Sequence, residues 1–123
     1  MSLIEIHGRF GNTVLYYTIV MALWGFWRYV RKQGVDSSYW GALVIAEILF
    51  LVQAGFGAYL WLSGAGNLSG HGIHILYGAV SVLVIPGIFL YTHGEEHRRT
   101  ALVYGVSFLF LVGIVLRAIF TAP

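Results

Sequence analysis

Cysteine is absent from the 123 residues. Its absence excludes disulfides, thiolate metal sites, iron–sulfur clusters and covalently attached c-type haem. Charge is scarce as well: charged residues make up 10% of the chain, against about 25% in a soluble domain. That is too little to cover a water-facing surface. The formal charge of +2 rests on seven basic residues, a balance that reports on topology and gives no sign of nucleic-acid binding. No nucleophile, hydrolytic triad or phosphate-binding loop stands out, and Gly64-Ala65-Gly66 falls in a connection between apolar segments rather than in a nucleotide cradle. What is present is apolar: 59% hydrophobic and 16% aromatic residues, with 16 Gly and four Trp, and a mean hydropathy of +0.80. The aromatic share rules out disorder, and the whole composition is that of a membrane protein.

A bilayer core about 30 Å thick needs about 20 apolar residues per helix. Phe10 to Trp27 is uncharged, Tyr39 to Leu62 carries only Glu47, Ile73 to Thr92 only His74, and Ala101 to Phe120 only Arg117. The expected fold is all-α, an integral membrane antiparallel four-helix bundle forming one domain over residues 1–123, with spans at about 10–30, 39–62, 72–92 and 100–120. Short connections force the up-down-up-down order, and no segment has the polar stripe that a soluble bundle requires. Glu5 before the first span, and large aromatics and arginines after it, argue for a retained helix rather than a signal peptide.

Orientation follows from the basic residues. Arg28, Arg31 and Lys32 lie in the first connection, Arg98 and Arg99 in the third, and the second, Ser63 to Gly70, has no charge. The positive-inside rule makes the first and third cytoplasmic and places both termini on the extracytoplasmic side. Interfacial aromatic belts are expected from Trp24, Trp27, Tyr29, Tyr39, Trp40, Tyr91 and Tyr104 on the inner side and Tyr59, Trp61 and Tyr77 on the outer. Small residues mark expected helix contacts: Ala42, Ala46, Ala54 and Ala58 in the second span, Gly78 and Ser81 in the third, Gly105 and Gly113 in the fourth. Pro86 removes one backbone hydrogen bond from the third.

Ionisable groups inside spans are costly and tend to be functional. One pattern stands out. His7 is followed by Gly11, Val14, Thr18 and Gly25, and His74 by Gly78, Ser81, Ile85 and Thr92, at identical offsets that keep one helical face. Both segments run from outside to inside, so both histidines fall at the same shallow depth, on helices diagonal across the bundle. Two imidazoles at one level, each beside a glycine that opens space, suit one haem b held by two axial nitrogens. His7 and His74 are the expected iron ligands, Gly11 and Gly78 give the macrocycle room, and Arg117 and Arg9 are placed to neutralise propionates. The competing reading puts His7 in the headgroup region and treats the repeated glycines as coincidence. His71 and His74, with His7, suit an outer copper or zinc site as an alternative, and His71 as a solvated loop residue is the simpler reading. His93 and His97, beside Glu95, Glu96, Arg98 and Arg99, read as a solvated turn, which leaves one haem as the maximum by paired histidines.

Glu47 shares a face with Ala54 and Ala58 and is expected to point into the bundle. There it serves either as a proton-relay or quinone-contacting group, or as a protonated acid bonded to Tyr104, Ser107 or Thr18. Gln53 is expected to make an interhelical hydrogen bond.

The stretch His74-Ile-Leu-Tyr77-Gly78, continuing to Pro86 and then to Arg117 and Thr121, resembles small four-span bacterial membrane proteins, with a looser likeness through Glu47 and Gln53. The resemblance implies a stand-alone four-helix module of the bacterial cytoplasmic membrane rather than an activity. In plan the chain is also similar to the haem b membrane-anchor cytochromes of respiratory enzymes, departing from their two-haem forms in lacking an inner histidine pair. The expected function is therefore that of a b-type cytochrome or cytochrome-like subunit in electron transfer, with quinone or other respiratory-chain subunits as partners. The alternative is a non-catalytic accessory or scaffold subunit of a larger membrane complex, and a small transporter lined by Glu47 and Gln53 is a third class.

Overall fold

The computed structural model describes residues 2–62 and 72–120. It forms four helices, α1 (Leu3–Val30), α2 (Ser37–Leu62), α3 (Gly72–Thr92) and α4 (Arg98–Phe120), with no strand among the described residues. Three of them, α2, α3 and α4, are long and apolar enough to cross a membrane. The stretch Asn12, Thr13, Tyr16, Tyr17 and Thr18 makes α1 less apolar than the others.

The helices pack in a ring in chain order. α1 touches α2 and α4, α3 touches α2 and α4, and neither diagonal pair is in backbone contact. Neighbours run antiparallel. The Tyr17 hydroxyl donates to the Ala42 carbonyl at 2.7 Å and the Tyr39 hydroxyl to the Met21 carbonyl at 3.2 Å, so the two hydroxyls bond α1 and α2 in both directions. On α1 the buried residues are Gly11, Val14, Thr18, Met21, Ala22 and Gly25, which includes all four positions that follow His7 at the repeated offsets. On α3 they are Ser81, Ile85 and Thr92.

The two short connections meet at one end. Asp36 accepts from the Tyr39 amide at 2.9 Å and starts α2, while its carboxylate pairs with Arg28 at 3.4 Å. The Val35 amide donates to the Glu96 carbonyl at 3.1 Å. A Cβ on Gly34 would run into that same carbonyl, so the approach of the two connections requires glycine there. Arg98 donates to the Tyr29 carbonyl at 2.7 Å and lies over its ring, 4.1 Å from the centroid. The left-handed φ values of His93 (54°) and Gly94 (67°) end α3, and the Gly94 amide returns to the Phe89 carbonyl at 3.1 Å. We call this the basic end.

Above it lies an aromatic core that differs from the expected belt. Tyr39 and Tyr104 are 0% and 1% exposed. Trp24 packs on Tyr39 (4.9 Å between centroids), Tyr39 on Tyr104 (6.1 Å), and Trp40 on both Tyr104 (6.0 Å) and Phe89 (5.6 Å). The two tyrosines lie inside because each falls on the face that its helix turns to the others, where rings fill more volume than aliphatic side chains. Trp27 and Tyr91 remain exposed. Gly113, expected at a contact, is exposed as well, with nothing within 4 Å of the position of a Cβ. The inward face of α4 instead runs through Ala101, Tyr104, Gly105, Phe108, Leu111 and Val115.

Candidate functional site

The site is at the end opposite the basic one and begins with a helix cap. Ser2 accepts from the Glu5 amide at 3.2 Å, the Ser-x-x-Glu pattern that stabilises a helix start. α1 therefore begins before the apolar run and carries His7 in its second turn. α3 begins at Gly72, which puts His74 in its first turn. The two half-buried imidazoles face each other across the ring of helices, with centroids 6.2 Å apart and planes at 80°. This contact spans the α1–α3 diagonal, where the backbones do not touch.

A cavity of about 630 Å³ surrounds the rings, drawing its wall from all four helices. The volume is within the range of about 300–1,000 Å³ typical of cofactor pockets. Among the described residues no Asp, Glu, Lys or Arg lines it. Glycines create the space in two ways. A Cβ on Gly57 would lie 3.3 Å from Cε1 of His7, and one on Gly11 3.2 Å from Nε2 of Gln53, so these two seat the ring and the amide. A Cβ on Gly8 or Gly78 would meet nothing within 4 Å, so those two leave open volume.

The two rings are held differently. Nδ1 of His74 lies 2.8 Å from the Ala118 carbonyl on α4. A carbonyl only accepts, so in the neutral ring Nδ1 carries the proton and Nε2 keeps its lone pair. Nδ1 of His7 is buried with no hydrogen-bond partner among the described residues. Its backbone carbonyl accepts from Nε2 of Gln53 at 2.8 Å, an interhelical bond from α2, while Oε1 of the same amide is buried with no partner among the described residues.

With their centres 6.2 Å apart, the two imidazoles would have room to hold one metal between them at metal–nitrogen distances of about 2.0–2.1 Å. No cluster of three His, Asp or Glu residues suited to a bare metal ion occurs among the described residues. His71, the further ligand of the copper or zinc alternative, lies outside them, as do Thr121 and the connection 63–70.

Arg9 and Arg117 are exposed near the same end and outside the cavity wall. Glu47 is half-buried on α2 and also outside the wall, with Oε1 buried and without a partner among the described residues. None of the hydroxyls expected to bond it does so. Thr18 donates to the Val14 carbonyl at 2.6 Å and Ser107 to the Val103 carbonyl at 2.7 Å, while the buried Tyr104 hydroxyl has no hydrogen bond to Glu47 or to another described residue. Hydroxyls in helices are satisfied locally by the preceding turn, which leaves little incentive to reach across. His93 and His97 are exposed, and His97 stands 3.9 Å from Glu95.

Reading the sequence for chemistry missed Gly57 and the Ala118 carbonyl. Gly57 follows Gln53 by one turn, so its place on the same face was available from helical spacing. A backbone acceptor on another helix leaves no trace in residue types. No family model matches the chain, and no curated protein or solved structure is significantly similar to it.

Proposed function

We propose that the chain is a four-span membrane protein of the bacterial cytoplasmic membrane that binds one haem b between His7 and His74 and takes part in electron transfer. The observation that carries the reading is the pair itself, two imidazoles 6.2 Å apart across the bundle diagonal at the wall of a 630 Å³ cavity. The hydrogen bond from His74 to a backbone carbonyl adds the orienting contact that metal-ligating histidines almost always have. The absence of thiols agrees with a cofactor held by nitrogen alone.

When bound, haem b supplies one-electron redox chemistry at its iron. The residues of the chain do the rest. His74 presents Nε2 in a fixed orientation, and His7 stands opposite it. Gly8 and Gly78 leave the space beside the rings, and Gly57 lets the His7 ring lie against α2. Arg9 and Arg117 serve propionates that reach past the cavity wall. Quinone or another respiratory-chain subunit is the proposed redox partner.

α1 is included as a span because its buried face packs along α4 and α2 over most of its length. The basic end is proposed to be cytoplasmic, since five of the seven basic residues gather at the two connections there.

The deciding experiment is an absorption spectrum of protein purified from a haem-replete host, before and after dithionite. A b-type spectrum that disappears in His74→Ala, with helix content unchanged by circular dichroism, supports the reading. Colourless protein that cannot be reconstituted with haem, or a spectrum indifferent to both histidines, overturns it and favours the accessory-subunit alternative.

A further inference from the structure

We infer that the two histidines are unequal, and that the His7 side of the site opens to admit a small uncharged diatomic ligand such as carbon monoxide, nitric oxide or dioxygen. This rests on the haem reading and adds to it a ligand class and the residue that yields.

The inequality lies in the hydrogen bonds. His74 has its Nδ1 tied to the Ala118 carbonyl, which fixes the ring and raises its basicity as a ligand. His7 lacks that support, with Nδ1 buried and unpartnered among the described residues. Gln53 donates to the His7 backbone carbonyl and does not tie Nδ1 of the ring. There is somewhere for the ring to go: Gly8, its chain neighbour, and Gly78, one turn after the opposing histidine, both face open space. His7 is also only two turns from the start of its helix, where local opening costs least. The wall chooses the ligand. With no charged side chain lining the cavity among the described residues, an anion would have only the iron to offset its desolvation, whereas an uncharged diatomic bears no such penalty. The amide of Gln53, beside His7, is the polar group nearest to hand.

The test uses the haem-loaded wild-type protein, reduced and titrated with carbon monoxide, and the oxidised protein titrated with azide. The expected result is a saturable shift of the Soret band with carbon monoxide and none with azide. His7→Ala is expected to retain haem, become high-spin and bind carbon monoxide at least about tenfold more tightly, because the native protein binds only through the fraction with His7 detached. Gln53→Leu, which loosens the same helix turn without touching the iron, is expected to fall between the two. His74→Ala is expected to lose haem. A haem-loaded wild-type protein whose spectrum does not change under carbon monoxide overturns the inference and leaves the haem reading intact, as does equal haem loss from the two histidine variants. Azide binding as tight as that of carbon monoxide removes the ligand class. Colourless protein removes the haem reading and this inference with it.

Discussion

Gly25 of α1 and Gly105 of α4 are in backbone contact. A Cβ on Gly25 would come within 2.8 Å of both Cα and N of Gly105 and 2.9 Å of the Tyr39 hydroxyl. Close backbone approach of this kind is how helices associate in lipid, where burying apolar surface gives no advantage over the acyl chains. The crossing locks the half of the molecule toward the basic end, where the aromatic rings fill the core. The other half is left to enclose a cavity.

Gly25→Ala forces backbone to move, since neither colliding atom of Gly105 belongs to a side chain that can turn away. We predict a loss of about 1–3 kcal/mol, the usual range for overpacking, measured by thermal unfolding in detergent. Gly113→Ala is the control. Nothing lies within 4 Å of its Cβ position, so it is expected to be neutral or to stabilise by up to about 1 kcal/mol through helix propensity.

Gly34→Ala places a methyl group against the Glu96 carbonyl and breaks the Val35–Glu96 hydrogen bond. The expected cost is about 1 kcal/mol or more. Amide hydrogen exchange locates it: the Val35 amide should exchange faster, while the protection of α2 stays as it was.

Tyr17→Phe and Tyr39→Phe each delete one hydroxyl that bonds α1 to α2. Each is expected to lower stability by about 0.5–1.5 kcal/mol without disturbing the packing of the ring. The two bonds share no group, so the double variant should lose the sum to within about 0.5 kcal/mol. A markedly larger combined loss would show that the pair acts as one unit.

Because the chain has no cysteine, single substitutions give an unambiguous test of orientation. Gln33→Cys and Glu95→Cys, one in each connection at the basic end, should resist a membrane-impermeant maleimide in intact cells and react once the membrane is opened. Labelling of both in intact cells would invert the proposed topology.

Much of this was legible in residue order. The repeated offsets after His7 and His74 identified the buried faces of α1 and α3, because a 3.6-residue period leaves the same signature wherever a helix has one inward side. The cap at Ser2 and Glu5 was implicit in the same way. Partners on other helices were less accessible. Tyr39 and Tyr104 read as belt residues because an amphipathic ring near a span end suits an interface as well as a core. Only the direction in which their helix faces point separates the two. Glu47 was expected to find a hydroxyl, but Thr18 and Ser107 were already satisfied by their own helices.

Composition and periodicity by themselves determined that the chain is helical and that two histidines share one level, and they put four spans where three helices are long and apolar enough to cross a membrane. These follow from local rules, each needing only a residue and its neighbours within a turn or two. The tertiary structure decided which surfaces meet: a glycine crossing at one end, a cavity at the other, and a carbonyl on α4 that steadies one imidazole and not its counterpart. Those depend on distances between segments far apart in the chain, set by the packing of all four helices at once, and no single stretch of sequence encodes them.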